Sequence, residues 1–244
     1  MPTNTETTSL NRTYVLIHGA WFGGWVWQEV ASLLRDAGHT VYTPSLTGLG
    51  ERRHLRGPGV TLRTHADDIL NLLFMEDLHD VVLVGWSYGG MVVNEVIALA
   101  PERLRSVVYL DAMMPEPGRC HASYTTAHPV DAMIDLAATG QDIPPLSAQS
   151  IGIAEDSLAR YVDARLAPHP VLTFLTPSRT PTELPDLSYT YVLAGAFLDT
   201  SKTFEYFYDV FRERSLGYAY VIDTGHTMML TMPQETAQFL LDAL

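Results

Sequence analysis

The five residues Gly85-Trp86-Ser87-Tyr88-Gly89 constrain this chain more than any other stretch. They follow the apolar run Val81-Val82-Leu83-Val84 and precede a helix-like stretch from Gly90 to Ala100. The pattern is a G-x-S-x-G turn between a strand and a helix. A nucleophilic serine has to stand at the tip of such a turn, its hydroxyl exposed and the next backbone N–H free to bind an oxyanion. Residues two before and two after it must be small, so that strand and helix can approach. The string alone is weak; the strand before it and the helix after it give it weight. Ser87 is therefore the candidate nucleophile.

The rest of the chain alternates strand and helix signals around this turn. Tyr14-Val15-Leu16-Ile17 is a short apolar run that ends in His18-Gly19-Ala20. Helical periodicity spans Trp25 to Asp36 and stops at Gly38, and a strand follows at Thr40 to Thr43. Gly48 to Gly59 reads as loop, and Thr61 to Met75 as a helix with Thr61 as N-cap. Ser106 to Leu110 is a strand ending at Asp111. Later come a strand at Tyr189 to Ala194, a helix from Thr203 to Arg214, a strand at Tyr218 to Ile222 and a helix from Pro233 to Leu244. Alternation of this kind predicts an α/β fold, a mostly parallel sheet flanked by helices on both faces. The regularity breaks over residues 116–187, which are proline-rich and carry helix-like pieces at Val130 to Ala138 and Ala154 to Leu166. This predicts a small helical cap inserted into a core made of residues 12–115 and 188–244. Residues 1–11 read as a disordered arm.

Composition bounds the function. The chain has 244 residues, 47% of them hydrophobic, and a net charge of -13. An acidic chain is a poor partner for nucleic acid or an anionic membrane, both of which need basic patches. The N-terminus lacks the apolar segment of a signal peptide, and no run approaches the roughly 18 apolar residues of a membrane span. A cytoplasmic location is the default expectation. Cys120 is the single cysteine, so no internal disulfide forms. No Cys/His/Asp cluster has metal-ligand spacing and no dinucleotide fingerprint occurs, so neither metal nor cofactor is expected.

A serine hydroxyl needs a base within hydrogen-bond reach. Of nine histidines, His226 stands out, in Asp223-Thr224-Gly225-His226 between a strand and the last helix. Loops leaving the carboxyl ends of parallel strands converge on one edge, which brings Ser87 and His226 to the same side. His18 shares that edge and is placed to brace the neighbouring loop. His39, His54, His65, His79, His121, His128 and His169 have no such placement.

In that order, His18-Gly19-Ala20-Trp21-Phe22-Gly23-Gly24-Trp25, the serine turn and Thr224-Gly225-His226 resemble the α/β-hydrolase fold family. More closely, they resemble its branch of small plant-type esterases, methyl-ester hydrolases and hydroxynitrile lyases. The likeness covers about residues 12–115 and 188–244. It implies a Ser…acid…His order and an oxyanion hole from the backbone N–H groups of Ala20 and Tyr88. Two aspartates compete for the acid. Asp111 ends the strand after the nucleophile helix, a placement similar to that in certain haloalkane dehalogenases. Asp199 lies nearer the family's usual position but is displaced by a residue or two. Asp111 is favoured and Asp199 is kept as the alternative. The hydroxynitrile lyases carry a lysine after the histidine; Thr227 occupies that position here, which disfavours cyanohydrin cleavage.

Trp21, Trp86, Met113, Met114 and Phe174 are the expected substrate-binding residues, with Tyr124, Met133 and Leu175 from the cap. Methionine and aromatic side chains suit a small-molecule substrate with an apolar or aromatic group. The loop Gly48 to Arg53 either orients an acidic substrate or is salt-bridged to its surroundings. The expected activity is cleavage of a carboxylic ester or lactone through an acyl-enzyme. A lyase using the same residues for proton transfer and a non-catalytic ligand-binding protein remain alternatives. The oligomeric state is open, a homodimer included.

Overall fold

The computed structural model describes residues 11–197 and 202–242, with the backbone alone for Phe197. The expected arm falls on residues 1–11, of which 1–10 lie outside the described residues, as does Asp199.

Six apolar runs become strands: β1 Thr13–Ile17, β2 Thr40–Tyr42, β3 Val81–Ser87, β4 Leu104–Ala112, β5 Ser188–Ala194 and β6 Tyr218–Ile222. All pair in parallel, in the order β2-β1-β3-β4-β5-β6. Successive side chains of a strand face opposite ways. Val15, Ile17, Val81, Leu83, Val107 and Tyr109 therefore join one apolar cluster, and Tyr14, Leu16, Val82, Val84, Val108 and Leu110 join another. Both faces are apolar, so both need covering, which is why these strands read as continuous hydrophobic runs.

The helices are α1 Gln28–Asp36, α2 Leu62–Met75, α3 Gly89–Leu99, α4 Val130–Ala138, α5 Asp156–Asp163, α6 Leu172–Leu175, α7 Lys202–Glu213, α8 Met228–Thr231 and α9 Pro233–Asp242. Helices α2, α3 and α7 cover the first face, and α1 and α9 the second. Thr61 caps α2, its N–H donating to Thr64 Oγ1 at 3.2 Å. The segment read as loop, Gly48 to Gly59, winds into a short 3-10 helix over Gly50–Leu55. Arg52 there pairs with Asp68 at 2.7 Å, so the loop is salt-bridged to its surroundings.

Residues 116–187 supply α4, α5 and α6 but no strand of the sheet. Helix α5 is shorter than the piece read from Ala154 to Leu166. The Glu155 carboxylate caps it by accepting the N–H groups of Ser157 and Leu158 at 2.8 and 2.7 Å. The four-residue α6 is too short to leave a periodic signal. Met133 of α4 and Phe174 of α6 pack into the first apolar cluster, while Ala159 and Val162 of α5 pack into the second. Glu95 of α3 anchors the end of this segment. It is fully buried, pairs with Arg63, and accepts the Arg179 N–H at 2.6 Å and the Ser178 hydroxyl at 3.3 Å. Unlike these interior segments, β6 closes the sheet at an edge where Tyr218 and Val221 are exposed.

Candidate active site

Ser87 closes β3 with φ +55, a left-handed conformation uncommon outside glycine. The small residues of the turn have measurable reasons. A Cβ on Gly89 would lie 2.7 Å from the Ile17 carbonyl oxygen, and one on Gly90 would lie 2.0 Å from that of Met113. A Cβ on Gly19 would sit 3.0 Å from Ser87 Cβ, so the loop that carries the Ala20 N–H runs alongside the serine. Tyr88, whose N–H is the other expected oxyanion donor, is fully buried at the start of α3.

Asp111 reaches the site through an irregularity in β4. Trp86 pairs with Leu110, but Ser87 pairs with Ala112, which leaves Asp111 as the extra residue of a bulge. Its φ of +44 belongs to the same left-handed region. Asp111 Oδ1 accepts the Ala194 N–H at 3.1 Å, and Oδ2 lies 2.6 Å from His226 Nδ1. Both side chains are buried. A carboxylate so placed fixes the imidazole tautomer with the proton on Nδ1.

His226 sits in the loop between β6 and α8. Its backbone carbonyl accepts the Trp86 indole N–H at 2.8 Å, and its ring stacks on Phe204 at 4.7 Å and 21°. Trp86 was anticipated as a substrate-binding residue. The structure packs it into the cluster on the α1 and α9 side, against Phe22, with its ring 5.1 Å from that of His226. The alternation of β3 is the reason: Trp86 points opposite to its neighbours Gly85 and Ser87.

Trp21, Met113, Met114 and Phe174 gather in the other cluster together with Tyr88. Trp21, at φ +67, is tied to residues 141–169 three ways. Its N–H donates to His169 Nδ1 at 3.3 Å, its indole N–H donates to the Ile143 carbonyl at 3.2 Å, and its carbonyl accepts the Ala167 N–H at 3.0 Å. His18 braces the same loop. Its Nε2 accepts the Leu46 N–H at 3.0 Å, so Nδ1 carries the proton and donates to the Gly19 carbonyl at 2.8 Å. Burial pulls the His18 pKa down to about 4, which keeps it neutral.

Three histidines without placement in the sequence also arrive here. The rings of His65, His121 and His169 lie 5.7, 6.0 and 4.7 Å from that of Tyr88. No local pattern marks them, because they come from α2 and from two distant parts of the inserted segment. Tyr88 OH donates to His65 Nδ1 at 2.9 Å, and His65 Nε2–H donates to the Thr47 carbonyl at 2.9 Å. Burial lowers the His65 pKa to about 4. Among the described residues, no group of three or more His, Cys, Asp or Glu has the arrangement of a metal site, and no helix is long and apolar enough to cross a membrane.

Comparison with known proteins agrees with this architecture. A carbendazim hydrolyzing esterase of Nocardioides sp. (strain SG-4G) is 36% identical over 92% of this chain and 96% of its own length. Methyl jasmonate esterase 1 of Vitis vinifera is 30% identical over 71% of this chain and 67% of its own. The solved structure of an extracellular alpha/beta-hydrolase from a Paenibacillus species superposes with a TM-score of 0.75 at 26% identity, covering 95% of this chain and 98% of that one. The model of the alpha/beta hydrolase family matches residues 14–239, and with a strand–serine–helix turn on a parallel sheet and esterases among its relatives, the chain belongs to that family.

Proposed function

We propose that this chain is a serine-dependent carboxylic ester or lactone hydrolase in which Ser87, His226 and Asp111 act as a triad. The observation that carries the reading is the buried 2.6 Å contact between Asp111 and His226, made by a bulge at the strand end beside Ser87. In this reading Ser87 attacks the ester carbonyl while His226 Nε2 takes its proton. The tetrahedral oxyanion is held by the N–H groups of Ala20 and Tyr88, donors that act only as charge develops and are each worth roughly 10²–10³ in rate. His226 then protonates the departing alkoxide, leaving an acyl-enzyme on Ser87. Water, deprotonated by the same imidazole, releases the acid. Asp111 stabilises the imidazolium formed at each stage without taking its proton.

The inserted segment acts as a cap over this centre, and Trp21, Met113, Met114 and Phe174 receive an apolar or aromatic group. The named activity of the Nocardioides relative supports the hydrolase side of the reading. The test combines p-nitrophenyl acetate with a serine-directed phosphonate. A burst of nitrophenol and a protein mass raised by one phosphonate, located at Ser87, are expected. Absence of both turnover and adduct overturns the reading and favours a proton-transferring lyase or a ligand-binding protein.

A further inference from the structure

The histidines beside Tyr88 differ in how their nitrogens are used. His65 is satisfied at both, as described above. His169 is satisfied at one. Its Nδ1 accepts the Trp21 N–H at 3.3 Å, and a neutral imidazole carries a single proton, which must then sit on Nε2. That Nε2 is buried and has no hydrogen-bond partner among the described residues. Burial and the surrounding histidines hold the His169 pKa well below the usual imidazole range, so the ring stays neutral. The same ring is held in place by its backbone, which exchanges two 2.9 Å hydrogen bonds with Ile143. His121 presents a second buried nitrogen, Nδ1, that has no hydrogen-bond partner among the described residues.

Both rings lie on Phe174, at 5.0 Å for His169 and 3.6 Å for His121. Tyr88 and Trp21 flank the same phenyl ring at 5.7 and 6.2 Å. A groove of about 610 Å³ along the inserted segment is lined by His128, Met133 and Ile143 and not by these rings; His128 lies 5.7 Å from the Phe174 ring, and Ile143 is the backbone partner of His169. Buried polar groups in folded proteins are nearly always hydrogen-bonded. His169 Nε2–H is thus a donor of fixed tautomer among aromatic rings, with those of Tyr88, Phe174 and His65 at 4.7, 5.0 and 5.8 Å, and Tyr88 belongs to the serine turn.

We propose that His169 is a specificity-determining residue whose Nε2–H donates to an acceptor atom in the planar aromatic part of the substrate, so that a heteroaromatic ester is preferred over its carbocyclic analogue. This rests on the ester-hydrolase reading, which makes the planar group part of an ester. A site built to hydrogen-bond a substrate atom discriminates against the analogue that lacks it, because its own buried group is left unpaired.

The experiment uses the full chain carrying Ser87→Ala, which can bind esters without cleaving them. Methyl benzoate and the three methyl pyridinecarboxylates, which differ from it by one acceptor nitrogen, are titrated by calorimetry. At least one pyridyl ester is expected to bind about tenfold more tightly than the benzoate. Adding His169→Phe is expected to bring that ratio to within about twofold. In protein labelled with 15N-histidine and unaltered at His169, the Nε2–H resonance is expected to move with the preferred pyridyl ester and not with the benzoate. Equal affinities for all four esters, no measurable binding of any, or a preference accompanied by an unmoved resonance would overturn the proposal. A resident water satisfying Nε2 would give the first of these. The p-nitrophenyl acetate burst of the unaltered protein judges the ester-hydrolase reading separately, so the two failures are distinguishable.

Discussion

At the carboxyl edge of the sheet, side chains are aimed by the backbone. Ser87 and Asp111 both take left-handed φ values, a bulge offsets one from the other, and Gly89 and Gly90 let chain segments approach to distances no Cβ would tolerate. In the segment from 116 to 187, side chains aim one another. The His169 ring lies against those of Tyr88 and Phe174, the His121 ring stacks on Phe174, and the buried Glu95 carboxylate holds the end of the segment. Parallel strands define the edge to a fraction of an ångström, which chemistry on a carbonyl requires. Side-chain packing over the edge tolerates exchange of one residue for another. In the proposed reading, the first region carries the reaction and the second the choice of substrate.

The sharpest way to break this comparison is at the bulge. Ser87→Ala is expected to abolish acyl-enzyme formation, and Asp111→Asn to lower kcat for p-nitrophenyl acetate by about 10⁴ through loss of the imidazole tautomer. Asp199→Asn is expected to change kcat by less than about tenfold, as a residue outside that contact would. The opposite order of the two aspartates would mean that the bulge serves the fold alone.

Stability separates the regions next. Gly90→Ala drives a methyl group into the Met113 carbonyl and is expected to cost about 3 kcal/mol or more, read as a lowered urea midpoint. Glu95→Ala leaves Arg63 and the Ser178–Arg179 turn without their buried acceptor, at a cost of about 3–5 kcal/mol. A single transition for both variants would make the edge and the inserted segment one cooperative unit. Two transitions for Glu95→Ala alone would show that the segment opens by itself.

Acid gives a third, smaller effect for each group involved. His18 and His65 have folded pKa values of about 4, below the 6.5 of the unfolded chain. The unfolded state therefore binds more protons between these values, and stability falls as pH drops through that window. Each histidine is expected to cost about 2 kcal/mol between pH 7 and pH 5, with the rest lost as pH falls through and below the folded value of about 4. Urea unfolding at pH 7 and 5 measures it, and a pH-independent midpoint would contradict the neutral, buried state of both rings. The smallest change is expected at Arg56, which pairs with Asp142 at 2.9 Å across a partly exposed surface. Arg56→Ala should shift stability by no more than about 1 kcal/mol, and by less at high salt.

Most of the core was readable because it repeats a simple rule. Short runs such as Val81 to Val84 are apolar on both faces, and each is followed by a helical period or a turn. The positions of Ser87 and His226 at the carboxyl edge of the sheet were readable because each closes a strand or follows one. Asp111 and Asp199 were not separable by spacing, since a bulge leaves no mark in the sequence. The structure brings Asp111 to His226, and Asp199 lies outside the described residues. The place of Trp86 beside Ser87 in the chain says nothing about which sheet face it occupies, and the structure puts it in the cluster on the α1 and α9 side. His65, His121 and His169 were invisible as a group, being separated by long stretches of chain.

By itself, then, the sequence determined the alternation of strands and helices, the serine turn and the edge on which reactive residues would collect. Those follow from local geometry: the period of two in strands, the size of glycine and the direction of parallel strands. The tertiary structure alone decided the 2.6 Å approach of Asp111 to His226, the packing of Trp86 between Phe22 and His226, and the tautomer imposed on His169 by the Trp21 N–H. Each of these depends on where two distant segments meet, and that is set by packing over the whole molecule, which no local pattern records.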